Sequence, residues 1–405
     1  MNLLDATRHT GLRLMQDFAP RMGRRYANGR NYDRGPGRHR DVSQLSPFVR
    51  RRLITEREVV AAALDAHGPE NAEKFIQEVL WRGYFKGWLE RRPQVWASYT
   101  AGLDGDHAVL AKDRGLRRAV EAAEAGDTGL DCFDAWAQEL AETGYLHNHA
   151  RMWFASIWVF TLGLPWRLGA DFFYRHLLDG DPASNTCSWR WVAGLHTRGK
   201  VYEAQAWNIA KFTENRFSPR DADLQTGLEG LQDQEPEGLP DVQPLREVQA
   251  PQPGVPSVLL LTEDDCALED FDLSALDITA TAALRASHLR SPLEVSETVT
   301  RFEQQALEDA ATRLDRPTEM LRAGVPADLA KWASGQGARQ IVMPYAPTGP
   351  LKDWMDEATP HLKSAGITVA ELRRDWDALV WPHATAGFFK VKKKIPEILH
   401  RTGLS

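Results

Sequence analysis

Through the first half of the chain, apolar positions recur at helical spacing. Thr55-Glu56-Arg57-Glu58 opens an apolar run as a capping box, and that run stops at Gly68-Pro69. From Pro69 onward Phe75, Val79, Leu80 and Trp81 continue the helical period. Two more helices are expected, over about 130–142 and 146–162. No stretch before residue 220 alternates with a period of two.

Residues 219–256 interrupt this pattern with seven prolines and few large apolar groups. Such a segment buries little surface and reads as a linker or as a chain draped over a surface. Beyond it, short β-rich runs appear at Ser257–Thr262, Ile278–Leu284, Gln340–Met343 and Ile367–Leu372. Helical stretches near 295–313, 327–335 and 350–364 separate them. Strand and helix in alternation predict a parallel α/β sheet. The expected organisation is an all-helical domain over 1–218, a linker over 219–256 and a Rossmann-like α/β domain over 257–405.

The composition is that of a globular protein, with 43% hydrophobic and 26% charged residues. No stretch approaches the roughly 18 apolar residues that span a bilayer. The opening residues are broken by Asp5, Arg8 and His9, so a secretory signal is not expected and the cytoplasm is the expected compartment. Cys132, Cys187 and Cys266 lie far apart without a C-x-x-C, so no metal centre is expected.

The net charge of -7 is unevenly spread. Residues 1–220 carry 31 Lys and Arg against 26 Asp and Glu, and the remainder 18 against 30. The basic half is either a solvated surface or a face that meets phosphate, since local field matters within a Debye length.

Ten of fourteen tryptophans precede residue 220. Tryptophan fills cores first. Yet Trp189-Arg190-Trp191 follows Asp179-Gly180-Asp181-Pro182-Ala183-Ser184-Asn185, and His147-Asn148-His149-Ala150-Arg151-Met152 opens a helix rich in Trp and Phe. Polar edges among aromatic rings suit either a satisfied core network or a buried flat heterocycle. Ser43-Gln44-Leu45-Ser46-Pro47, with Tyr26 and Arg30 upstream, reads as helix capping or as an anion cradle. No P-loop, G-x-S-x-G or H-E-x-x-H is present.

Together these segments resemble the FAD-binding helical domain of the DNA photolyase/cryptochrome family, in order through residues 1–217. The family's T-S-x-L-S-P appears as Val42–Pro47, with Val42 for threonine. E-L-I-W-R-E-F-Y appears as Glu78-Val79-Leu80-Trp81-Arg82-Gly83-Tyr84-Phe85, with Gly83 for glutamate. T-G-x-x-x-x-D-A is Thr128–Ala135, T-G-W-M-H-N-R-x-R-M is Thr143–Met152, and D-G-D-x-A-x-N-x-x-x-W-x-W runs intact from Asp179 to Trp191. The order is unusual: the family's α/β antenna domain ordinarily comes first, so the chain looks circularly permuted. Gly387-Phe388-Phe389-Lys390-Val391 is similar to the segment that leaves that domain in the common plan.

The resemblance implies light-driven repair of cyclobutane pyrimidine dimers by electron transfer from excited, reduced FAD. Tyr26, Ser43, Gln44, Leu45 and Ser46 would bind the cofactor at its pyrophosphate. Arg151 would lie over the flavin and pair with Asp179. Asp181 would accept a hydrogen bond from the ring, and Asn185 would face N5. Glu78, Trp81, Asn148, Met152 and Trp191 would hold the flipped-out dimer, and Arg30 and Arg82 would contact DNA phosphates. Histidine stands at the positions of Asn148 and Met152 in the branch that repairs (6-4) lesions, so cyclobutane dimers are favoured. Trp189 and Trp166 match the inner and middle members of the family's electron relay. Ala123 stands where the outer one belongs, which leaves Trp153 or Trp158 as substitutes. The resemblance further implies damaged DNA as partner, no membrane and a monomer, and leaves a second antenna chromophore open. A FAD-binding photoreceptor without repair is the alternative.

Overall fold

The computed structural model describes residues 5–404. It has a helical part and a five-stranded, wholly parallel sheet, and the chain divides into two compact units. One unit comprises Arg24–Gln44 and Arg92–Val242. The other comprises residues 5–23, Leu45–Arg91 and the chain from Gln243 onward. The helical segment 1–218 is therefore shared between the units, and the proline-rich segment changes unit after Val242.

The first unit is built on an aromatic core. Helices Asp131–Thr143, Asn148–Ser156, Trp166–His176 and Pro182–Val192 bury Phe133, Phe154, Phe172, Phe173 and Trp189. Gly169 permits a close approach: a Cβ there would lie 2.3 Å from the Trp189 ring. The helix from Asn148 passes into a π-helical turn at Ile157–Thr161, which carries Trp158. The proline-rich residues are draped along this unit, with the Leu231 amide donating to the Ala193 carbonyl at 2.9 Å and Arg190 paired with Glu235.

In the second unit the capping box forms as expected, with Thr55 and Glu58 satisfying each other. The helix Glu56–Glu90 runs through the Gly68-Pro69 break, where Gly68 adopts φ 68° and kinks the axis. Further along, a Cβ at Gly83 would lie 3.1 Å from Val380 and one at Gly87 2.7 Å from the Trp381 Cα. Glycine at 83, where the family has glutamate, lets the segment around Val380 pack directly on the helix.

Strands β1 (Pro256–Thr262), β2 (Asp277–Arg285), β3 (Thr318–Arg322), β4 (Gln340–Pro344) and β5 (Thr368–Leu372) form the sheet in the order β3-β2-β1-β4-β5. Central β1 is buried along six of its seven residues, as a parallel strand covered on both faces must be. Helices Pro326–Gly335 and Pro350–Ser364 cover one face through Leu329, Leu351, Trp354 and Leu362. Four of the strands match the apolar runs. The fifth, β3, is a sheet edge of sequence TEMLR with little burial, and it carries no apolar run to announce it.

Strand order reverses between β1 and β4, and open α/β sheets take ligands at the carboxyl ends beside such a point. Here that edge holds ion pairs from the chain itself. After β1, Asp264 meets Arg50 at 2.9 Å and Glu263 meets Arg51 at 3.0 Å and Arg290 at 3.2 Å. Asp265 meets Arg52 at 3.3 Å and also Arg374. After β4, the Tyr345 hydroxyl donates to Glu90.

Candidate functional site

The residues assigned by resemblance fall in both units, and each set has its own local geometry. In the first unit, His147 caps the helix Asn148–Ser156 by accepting from the His149 amide at 3.2 Å. Burial pushes its imidazole down to about 3, so the ring is neutral at physiological pH. One turn on, Arg151 donates from Nε to the Leu146 carbonyl at 2.8 Å and from Nη2 to Asp179 at 3.0 Å. Its guanidinium also lies 5.7 Å from the Tyr145 ring centre. The arginine is thus held in one orientation by a carbonyl, a carboxylate and an aromatic face.

Asp181 caps the next helix, Pro182–Val192, through Oδ1, which accepts from the Ala183 and Ser184 amides at 3.1 and 3.0 Å. Any bond to a ligand would have to be carried by Oδ2. Asn185, on the first turn, donates its amide to the Ala170 carbonyl at 2.7 Å, which fixes the plane of the group. Trp189, one further turn along, is buried against Phe173 and Trp158 at centroid distances of 5.1 and 6.3 Å, edge to face in both cases. Trp166 is buried beside Tyr99 at 5.8 Å, and among the described residues it has no ring contact with Trp189.

Asn148 is exposed and Met152 half-buried, four residues apart on one helical face. Trp191 is 37% exposed beside the Tyr202 ring at 5.5 Å. Tyr26 is buried on the helix Arg24–Gly29, with Arg30 half-buried just beyond it. Ser43 and Gln44 end a segment of this unit, and Leu45 and Ser46 open one of the other. Gln44 has φ 53°, a left-handed conformation that a non-glycine residue adopts only under constraint.

In the second unit Glu78, Trp81 and Arg82 share a face of the helix Glu56–Glu90, at spacings of three and four residues. Trp81 is stacked on Phe388, with centroids 4.1 Å apart and planes 14° from parallel. Tyr84 meets it edge-on at 5.3 Å. The sequence reading missed Phe388 as a neighbour of Trp81 and Tyr202 as a neighbour of Trp191. Trp81 and Phe388 are 307 residues apart, with the doubled aromatic Phe388-Phe389 as the available signal, while Trp191 and Tyr202 are joined by an irregular stretch that carries no period.

The first unit suits a bound polar heterocycle. His147 Nε2, Thr186 Oγ1 and the Trp189 indole N–H are buried with no protein partner among the described residues. His147 caps the helix that carries Arg151, and Thr186 and Trp189 lie on the helix that carries Asn185. Buried polar atoms of this kind call for a ligand or water. A separate buried set, Asp33, His39 and Glu139, has metal-ligand chemistry. His39 Nε2 lies 3.1 Å from Glu139, while Asp33 already accepts from Gly35, Trp136 and Arg216.

Comparison with known proteins places this geometry in context. The deoxyribodipyrimidine photo-lyase of Streptomyces griseus is 35% identical over 157 residues, 38% of this chain and 33% of that protein. A cryptochrome DASH of Ostreococcus tauri is 31% identical over 193 residues, 47% of this chain and 34% of that protein. A class III photolyase structure from Agrobacterium tumefaciens aligns with 51% of this chain and 43% of its own, at 26% identity and a TM-score of 0.43. The matched region spans about a third of the length of the curated relatives. No helix among the described residues is long and apolar enough to cross a membrane. Residues 75–219 match the family model for the FAD binding domain of DNA photolyase, and over that region the chain is similar to members of the DNA photolyase/cryptochrome family.

Proposed function

We propose that this chain binds reduced FAD and uses blue light to split cyclobutane pyrimidine dimers in DNA. The observation that carries the reading is the Arg151–Asp179 pair, set immediately before the Asp181-capped helix that bears Asn185 and Trp189. When bound and reduced, FAD supplies a photoexcited electron to the dimer and recovers it after the ring has opened. Arg151, fixed from three sides, places a positive charge against the cofactor, and Asp179 compensates it in a poorly solvated setting. Asn185 presents a neutral amide in a fixed plane. Trp81 offers a flat wall to a dinucleotide turned out of the helix, with Glu78 on the same helix face for a polar edge; by the family resemblance Trp191, Asn148 and Met152 of the other unit have lesion-binding roles too. Arg30 and Arg82 neutralise backbone phosphate without reading sequence. Tyr26 and Ser43–Ser46 hold the pyrophosphate. On this reading the helical domain over 1–218 precedes the antenna-like domain in reversed family order, and the protein acts as a cytoplasmic monomer.

A second reading, a FAD-binding photoreceptor without repair, draws on the Phe388 ring that covers one face of Trp81 and on the cryptochrome DASH relative. One experiment separates the two. Protein with chemically reduced flavin is mixed with an oligonucleotide carrying a single thymine dimer, and dimer loss is compared under blue light and in darkness. Light-dependent loss is expected. Bound, photoreducible flavin with no loss would establish the photoreceptor, and absence of bound flavin would overturn both readings.

A further inference from the structure

The segment Gly387–Lys394 combines three features that no role so far uses. Phe389 is 63% exposed, a large apolar ring left in water. Lys390, Lys392, Lys393 and Lys394 surround it, in the half of the chain that is otherwise acidic. Two of these lysines have carboxylate partners, Lys392 at 3.4 Å from Glu73 and Lys394 at 2.8 Å from Glu397. Lys390 and Lys393 have none among the described residues. Lys390 donates to the Thr385 hydroxyl at 3.3 Å, and the Lys393 ammonium lies 4.7 Å from the Phe389 ring centre. Finally, the residue before Phe389 is Phe388, stacked on Trp81. The exposed ring and its lysines are therefore continuous with the tryptophan that the proposed function puts against the lesion.

We infer that Gly387–Lys394 is a nucleic-acid contact element: Phe389 stacks on an unpaired base flanking the lesion, and Lys390 and Lys393 meet the adjoining phosphates. The inference rests on the DNA-repair reading above. An aromatic face offered among uncompensated ammonium groups is the arrangement that holds single-stranded nucleic acid, since every base has a π-face and every nucleotide a phosphate. Phe388 is a positioning residue in this scheme, because its stack on Trp81 fixes where Phe389 emerges. An acidic protein face or a second copy of the chain would also suit exposed lysines, but neither calls for a bare ring between them.

The test uses the full-length, flavin-loaded protein and a fluorescent single strand of about 15 nucleotides with one thymine dimer. Binding is followed by anisotropy over a range of salt. Phe389→Ala is expected to weaken binding about tenfold, and Phe389→Trp to stay within about twofold of the wild type. The double variant Lys390→Ala, Lys393→Ala is expected to lower the slope of log affinity against log salt by about 1.4. Flavin absorbance and circular dichroism check that each variant is folded. Wild-type binding with unchanged affinity and salt slope in all variants overturns the contact element and leaves the repair reading standing. A Phe389→Ala change in sedimentation without a change in DNA affinity overturns it in favour of an interface between copies. Failure of the wild type to bind the damaged strand overturns both.

Discussion

Trp189 sits where two demands meet. Its ring fills the core between Phe173 and Trp158, and its N–H has no protein partner among the described residues. The tryptophan beside it in ring contact is Trp158, on the π-helical turn, rather than Trp166. π-bulges of this kind recur at functional sites. Ala123, which the resemblance puts at the outer relay position, has no ring to carry an electron. Trp189→Phe is expected to abolish photoreduction of the flavin while chemically reduced enzyme still repairs. Transient absorption after a blue flash, paired with the repair assay, checks this, and loss of both activities would overturn a relay role for Trp189. The pairing of Arg151 with Asp179 was legible from their motifs. The partners Leu146 of Arg151 and Ala170 of Asn185 were not, because a side chain's choice among backbone carbonyls depends on packing that spacing does not encode.

At the scale of elements, the α/β sheet carries a titrating switch in its own scaffold. Glu303, on the helix Glu297–Arg313, accepts from the Ala286 and Ser287 amides and the Ser287 hydroxyl. Burial, reinforced by the nearby charge of Glu263, pushes its carboxyl up to about 7. A carboxyl raised in the folded state stabilises fully below its unfolded pKa and loses that contribution as pH rises through the folded value. Stability should therefore fall between about pH 4.5 and 7 by on the order of 3 kcal/mol. Glu303→Gln keeps an acceptor for the amides and should flatten that decline, read as the urea midpoint at pH 5 and pH 8; an unchanged slope would locate the pH dependence elsewhere. Elements with a strong period were legible from sequence, including the capping box at Thr55 and four of five strands. The edge strand β3 was not, since Thr318–Arg322 owes its conformation to pairing with β2 rather than to apolar side chains.

At the scale of the molecule, the second unit is assembled from distant stretches of chain, and buried charge joins them. Burial alone would raise the Glu263 carboxyl, but Arg290, Arg51 and Arg50 overcome this and bring it down to about 2. Glu263→Gln leaves Arg51 and Arg290 buried with excess positive charge and should cost about 3–5 kcal/mol in a urea titration at pH 7. A loss below about 1 kcal/mol would show the arginines to be compensated elsewhere. The proline-rich stretch was legible as irregular, but the exchange of segments between units was not. Ion pairs between Arg50–Arg52 and Glu263–Asp265 leave no local trace in either sequence.

That assembly also sets a timetable for synthesis. Arg50, Arg51 and Arg52 leave the ribosome long before the carboxylates that neutralise them, with the whole segment Arg92–Val242 made in between. The 211-residue separation of Arg52 and Glu263, at ~5–20 residues per second, is a wait of roughly 10–40 s. During it Arg50 and Arg51 stand on the nascent chain without their carboxylate partners, and Arg52 has only Glu56, four residues on. The second unit thus cannot close until residues beyond Gln243 have emerged, whereas the first has nearly all its residues in hand by Val242.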